Sequence, residues 1–181
     1  MQSGDVTEIL EKLELEGIDV WLNGGWGVDA LLGHQTREHQ DLDITIASSD
    51  GPAYTELMSV AGFEVARVDN EFNWVMVDAK GRRVDVHLVD FSAETLDDQG
   101  KAMYGPQGLP FEVGSLDGHG TIDGRSVRCE TPESQVRGHA GYDLDEEDYR
   151  DVAALCHRFG IPVPSSYPHR PRRVDERTDT A

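Results

Sequence analysis

Basic residues are scarce in this sequence. Lysine and arginine number 16 against 35 aspartates and glutamates, a formal net charge of −19 over 181 residues. A surface of that sign repels polyphosphate backbones, so nucleic acid is not expected as a partner, and cationic small molecules are favoured instead. Cysteine is scarcer still. Cys129 and Cys156 are the only two and lack metal-like spacing, which predicts free thiols in a reducing, cytoplasmic setting. No run of about 18 apolar residues occurs, so no membrane span is expected. The N-terminal MQSGDVTEILEKL is acidic and amphipathic, without the basic start and apolar middle of a secretory signal. The seven histidines are scattered, with no H-x-H or H-E-x-x-H spacing, which disfavours a metal-dependent hydrolase.

What is present is an ordinary globular composition, 38% hydrophobic and 28% charged, enough for one domain or two small lobes. Residues 5–16 read as a helix with Val6, Ile9, Leu10 and Leu13 on one face and Asp5 and Glu8 resembling a capping box. IDVWL, residues 18–22, fits a buried strand. Gly24 and Gly25 break it, and residues 26–32 read as a second helix. Leu42, Ile44 and Ile46 alternate with Asp41, Asp43 and Thr45, the pattern of a half-buried strand over 41–47. A helix over 52–61 follows, then three strands, FEVARV, FNWVMVDA and RRVDVHLVDF. Residues 92–120 read mostly as loop, with one short strand at 111–113. Asp123-Gly124 predicts a tight hairpin. Two helices close the pattern, one from Pro132 to about Ala140 and one over 146–159 with Tyr149, Val152, Ala153, Cys156 and Phe159 inward. The tail from Ile161 has four prolines and mixed charge and reads as disordered.

The chemistry concentrates in the stretch GGWGVDALLGHQTREHQDLD, residues 24–43. In a strand, residues i and i+2 share a face, so Asp41 and Asp43 stand side by side while Leu42 and Ile44 enter a core. Like charges at that spacing repel, and a divalent cation reverses the penalty. Mg²⁺ suits one or two carboxylates together with phosphate oxygens. A later strand carries Asp85 and His87 on one face and Val84, Val86 and Leu88 on the other. If the two strands are neighbours, three carboxylates converge, as phosphoryl or nucleotidyl transfer around two metal ions requires. The bland alternatives are a solvent face for Asp41 and Asp43, and surface pairing of Asp85 with Arg82 or Arg83. Gly24-Gly25, between a strand and a helix, lets backbone N–H groups approach a phosphate. No Gly-Lys-Ser/Thr follows, so it is not a Walker A loop.

The order strand, Gly-Gly, helix, D-x-D strand, later Asp strand resembles the DNA polymerase β-like nucleotidyltransferase superfamily. WLNGGWGVDALLGHQTREHQDLDI resembles the opening motif of the small antibiotic nucleotidyltransferases, the lincosamide enzymes above all and the aminoglycoside 2″-nucleotidyltransferases slightly less. VDVHLV resembles the strand of their third carboxylate, and GRSVRCETPESQVRGHAGYDLDEED the C-terminal region of the lincosamide enzymes. The resemblance runs over about residues 6–160 and matches poorly across 92–120.

It implies an α+β fold, with a mixed sheet flanked by helices as the core (1–91) and a smaller C-terminal substrate-binding and dimerisation lobe ending in helices (92–160). It also implies transfer of AMP from ATP, or of another nucleotide, to a hydroxyl of a small antibiotic, most naturally a lincosamide. Asp41 and Asp43 would hold two Mg²⁺ ions, and Asp85 would join them or act as general base. Gly24 and Gly25 would receive the phosphates. Superfamily members often have serine where Gly25 stands. Arg37 either neutralises a phosphate or pairs with Glu38. His39 either orients a carboxylate or bonds structurally. His87, His139 and Tyr142 are candidates for the acceptor pocket, Tyr142 alternatively for the core, and Asp29 caps or pairs locally. A homodimer fits the resemblance. An aminoglycoside acceptor, another alcohol, and a non-catalytic nucleotide-binding module remain the competing readings.

Overall fold

The computed structural model describes residues 1–139 and 145–165. α1 (Ser3–Leu15) buries Val6, Ile9, Leu10 and Leu13, the i, i+3, i+4, i+7 stripe expected. Its start differs from expectation. Asp5 accepts from the Gln2 N–H at 3.0 Å, while Glu8 turns to Arg82, also at 3.0 Å. The reciprocal cap therefore joins Gln2 to Asp5, not Asp5 to Glu8.

β1 (Val20–Leu22) leads into α2 (Gly24–Leu32), and β2 (Leu42–Ala47) follows. A 3₁₀ turn and α3 (Gly51–Val60) return the chain to β3 (Phe63–Asn70), β4 (Asn73–Asp78) and β5 (Arg83–Val89). After β6 (Ala93–Leu96) and β7 (Ala102–Gly105) come β8 (Gly118–Ile122), β9 (Arg125–Cys129), α4 (Pro132–Gly138) and α5 (Glu146–Phe159). The seven-stranded sheet has the order β3-β4-β5-β2-β1-β9-β8. It is mixed: β2 runs parallel to β5 and β1 to β9, while the other pairs are antiparallel. This is the α+β architecture that the sequence predicts. No described helix is long and apolar enough to cross a membrane.

Alternation divides the sheet chemically. Leu22, Leu42, Ile44, Ile46, Val84, Val86 and Leu88 join α1 and α3 in one buried core. Burying each such side chain contributes about 1.5–3 kcal/mol. The opposite face is left for polar residues. α4 and α5 close a smaller core with α2, built on Val28, Val136, Val152, Leu155 and Cys156.

Three further expectations fail. Residues 92–120 hold the β6–β7 hairpin, which the reading as loop missed. Its first strand is largely exposed and shows no apolar alternation. The hairpin is held by a ring contact of Phe91 with Tyr104 at 4.8 Å, extended by Trp21 on Phe91 at 5.1 Å. Residues 111–113 form no strand. They run beside β7 through Tyr104 N–H to Phe111 O and Val113 N–H to Ala102 O. In α5, Ala153 is exposed and Phe159 is 38% exposed, while Asp151 and Leu155 are buried. A buried carboxylate took the place of an apolar residue in the inward stripe, which shifted the apparent phase of the helix. Ala140, Tyr142 and residues 166–181, most of the tail, lie outside the described residues.

Candidate active site

The parallel register of β2 and β5 sets Asp43 beside Asp85 and Thr45 beside His87. Ligating atoms of Asp43, Asp85 and His87 lie within 4.8 Å of one another. Asp41 stands one residue before β2 and lines the same cleft, outside that tight group. The cleft has a volume of about 540 Å³, and Gly24, Gly25, Arg37, Asp43 and His87 line it too.

The glycine pair has a steric cause. Gly24 has φ +52°, and a Cβ there would fall 2.3 Å from Oδ2 of Asp43. A Cβ on Gly25 would fall 2.3 Å from Nδ1 of His39 and 2.8 Å from an Arg37 nitrogen. Bare backbone thus lets the first turn of α2 press directly on the acidic strand. Asn23 occupies the N-cap position but makes no side-chain cap bond. Its amide oxygen accepts from Oγ1 of Thr45 at 2.7 Å and from Nδ1 of His87 at 3.3 Å, and its nitrogen donates to the Trp21 and Leu22 carbonyls. The first-turn amides of α2 stay free of a side-chain acceptor from Asn23, and no acidic residue occupies that turn. That end of the helix is therefore suited to an anion.

The carboxylates differ in environment. Burial, then the neighbouring Asp41 charge, pushes Asp43 up to about 6, against the opposing pull of His87. Burial also acts to raise Asp85, but His87, Asn73 and Arg67 together hold it below the usual carboxylate range. Asn73 Nδ2 lies 2.5 Å from Oδ1 of Asp85, and Arg67 reaches Oδ2 at 3.2 Å. Burial lowers His87, yet the Asp85 carboxylate at 3.3 Å, together with Asp43 and Glu130, more than offsets it, so the imidazole is raised. Among the described residues, no hydrogen bond reaches the Asp43 carboxylate. A crowded carboxylate without a donor, beside a second one and an imidazole, fits a divalent cation.

The other predicted residues divide. Arg37 does not pair with the Glu38 side chain; it touches only that residue's carbonyl, at 3.2 Å. Its partners are Asp151 at 3.0 Å and Glu147 at 3.0 Å, so it ties α5 to the cleft wall. His39 bonds Asp29 through Nε2, stacks on Trp26 and presents Nδ1 toward Gly25. Asp29 also accepts from Thr36 N–H and Oγ1, the local pairing expected. His139 is buried in the cleft wall, its Nδ1 on the Gln135 carbonyl at 2.7 Å. Sequence reasoning missed Asn23, Arg67, Asn73 and Glu130. Arg67 and Asn73 reach Asp85 across strands, which no local spacing announces. Asn23 carried a signal, since asparagine before a helix reads as a cap, but its side chain serves elsewhere.

A family model described as aminoglycoside-2″-adenylyltransferase matches residues 5–155. A lincosamide resistance protein of Staphylococcus haemolyticus is 28% identical over 162 residues, 86% of this chain and 98% of its own length. A 2″-aminoglycoside nucleotidyltransferase of Klebsiella pneumoniae is 30% identical over 131 residues, 72% of this chain and 68% of its own. Among solved structures, the lincomycin-bound lincosamide antibiotic adenylyltransferase LnuA aligns with TM-score 0.70 and 25% identity, over 84% of this chain and 94% of that one. ANT(2″)-Ia in complex with adenylyl-2″-tobramycin aligns with TM-score 0.68 and 19% identity, over 86% and 88%, a likeness of fold.

Proposed function

The chain belongs to the aminoglycoside-2″-adenylyltransferase family, and from that premise we propose that it transfers AMP from ATP to a hydroxyl of a lincosamide. The register that sets Asp43 beside Asp85, next to the N-terminus of α2, carries this reading. Asp41, Asp43 and Asp85 are the groups that would hold Mg²⁺. When bound, that ion neutralises phosphate charge and acidifies a coordinated hydroxyl. The chain's own residues do the rest. The first amides of α2, at Gly24 and Gly25, receive phosphate oxygens. Asp85 takes the proton as the acceptor O–H breaks. The new O–P bond forms at the α-phosphorus, and the bond to the bridging oxygen breaks to release pyrophosphate. His87, held by Asn23 on one nitrogen and facing Asp85 with the other, fixes the orientation of that carboxylate. Residues 1–91 supply these groups, and residues 92–160 supply most of the acceptor side of the cleft, His139 among them.

An aminoglycoside is the second reading, favoured by the net charge of −19, which attracts polycations. The test incubates the protein with Mg²⁺, ATP or GTP, and separate lincosamide and aminoglycoside panels. Pyrophosphate and acceptor mass are then measured. A nucleotidyl mass gain on a lincosamide supports the proposal. Intact nucleotide with no product on either panel refutes it.

A further inference from the structure

The polar face of the sheet carries a row of facing residues: Arg67 on β3, Val75 on β4, Asp85 on β5 and Asp43 on β2. Arg67 joins that row through an irregularity in its strand. Val65 pairs with Met76 and Arg67 with Val75, so Ala66 is an extra residue between them. In an unbroken strand Arg67 would share the face of Val65 and Met76, which is the core side. The bulge turns it to the other face, as bulges beside active sites do. From there the side chain crosses two strand spacings, about 10 Å, past the buried Val75. It reaches Oδ2 of Asp85 at 3.2 Å. Asp69 accepts from Nε of the same guanidinium at 3.0 Å, and Asp41 acts on it electrostatically. Both oxygens of the Asp85 carboxylate therefore have donors. Asn73 Nδ2 lies 2.5 Å and His87 Nε2 3.3 Å from Oδ1, and Arg67 holds Oδ2. An ion that takes Asp85 as a ligand has to displace one of the three. Asn73 is fixed by a second bond to the Val86 carbonyl at 3.1 Å, and His87 is held by Asn23. Arg67 is the contact that yields. Its side chain is 53% exposed, and Asp69 retains it when Asp85 lets go.

We propose that Arg67 is a resident counter-ion of the cation site, displaced from Oδ2 of Asp85 by an entering divalent ion. In the cation-free protein the guanidinium offsets the repulsion among Asp41, Asp43 and Asp85. The entering ion takes over both that task and the oxygen. Displaced Arg67 stays on Asp69 at the rim of the loaded site. The affinity for the free ion is thereby set below what the carboxylates alone would give. Arg67 is a positioning residue, since it acts through Asp85 and not on substrate. The inference rests on the cation site of the reading above and is independent of the acceptor and of the transfer step.

The experiment measures Mn²⁺ binding to full-length, nucleotide-free protein through the electron paramagnetic resonance of the free ion. It compares wild type, Arg67→Gln and Lys80→Gln. Lys80 lies in the turn between β4 and β5 and is exposed, so its variant removes the same charge without touching Asp85. Arg67→Gln should bind Mn²⁺ about two- to fivefold tighter, the scale of one partly exposed ion pair, while Lys80→Gln matches wild type. A gain of less than about twofold in Arg67→Gln, or an equal gain in Lys80→Gln, overturns the proposal and leaves the cation site standing. No Mn²⁺ binding to any of the three overturns the cation site and this inference together. A second measurement needs no variant. Phenylglyoxal attacks the neutral guanidine, and Asp69, with Asp85 and Asp41, holds Arg67 charged. Labelling of wild type, mapped to Arg67 by peptide mass, should therefore quicken about twofold or more when Mg²⁺ is added. An unchanged or slower rate at Arg67 overturns the displacement.

Discussion

Replacing Asp43 by asparagine should stabilise the cation-free protein and, on the reading proposed above, abolish its reaction. The carboxylate is raised to about 6 by burial and by Asp41, against an unfolded value of about 3.9. A raised acid folds more favourably protonated. Its contribution to stability is fully present below about pH 4, declines as pH rises, and is lost above about pH 6. At neutral pH the ionised Asp43 therefore costs up to about 3 kcal/mol, from roughly two pKa units at 1.36 kcal/mol each. Asparagine has the same shape and no charge, so it removes that cost and leaves the close approach to Gly24 intact. For a chain of this size, about 3 kcal/mol corresponds to roughly 6–12 °C in Tm.

The assay is a series of thermal melts from pH 4 to 8 in chelator, for wild type and Asp43→Asn. The two curves should coincide near pH 4 and separate through pH 6, with the variant higher. Added Mg²⁺ should raise the wild type and close the gap, because the ion binds the charge that destabilised the empty site. A variant that melts lower than wild type at pH 7 in chelator, or a gap independent of pH, refutes the electrostatic account of this site.

Three other outcomes follow from the same geometry. Gly24→Ala forces a Cβ to within 2.3 Å of Oδ2 of Asp43 at φ +52°; kcat should fall by about a hundredfold or more, and a variant with near-normal kcat removes the steric reason for the glycine. Arg37→Ala leaves Asp151, whose side chain is 3% exposed, without its cation, and urea melts should show a loss of about 3 kcal/mol, partly restored by Asp151→Asn; a loss under about 1 kcal/mol means the pair is not structural. Mn²⁺ titration followed by water proton relaxation should show binding to wild type and loss of it in Asp85→Asn, whereas unchanged binding would displace the cation from this carboxylate group.

The sequence shows the site along each strand and hides it between strands. Alternation of Leu42, Ile44 and Ile46 with aspartates, and of Val84, Val86 and Leu88 with Asp85 and His87, is enough to put the polar residues on the other face. That the two strands are parallel neighbours, with Asp43 opposite Asp85, depends on topology, and local spacing does not encode it. The same limit hid Arg67 and Asn73, whose contacts to Asp85 cross one or two strands. The β6–β7 hairpin escaped for a different reason. Its stability comes from the Trp21, Phe91 and Tyr104 rings, residues spread over more than eighty positions, while its own strands read as polar loop. In α5 the error was one of phase. Asp151 is inward because Arg37, distant in sequence, neutralises it, and hydrophobicity counted alone assigned that place to Ala153.

Asn23 joins these observations. A cap side chain at the start of a helix typically contributes about 1 kcal/mol, and Asn23 forgoes it. Its oxygen instead fixes the Nδ1–H of His87 and the hydroxyl of Thr45, which leaves the other nitrogen of His87 directed at Asp85. The omission leaves the α2 amides without an Asn23 cap where Gly24 and Gly25 bring the helix end against Asp43. One residue thereby holds the imidazole beside one carboxylate and keeps the positive end of a helix open above the other. A local choice that weakens the helix becomes consistent once the helix terminus is counted as part of the site and not only as part of the scaffold.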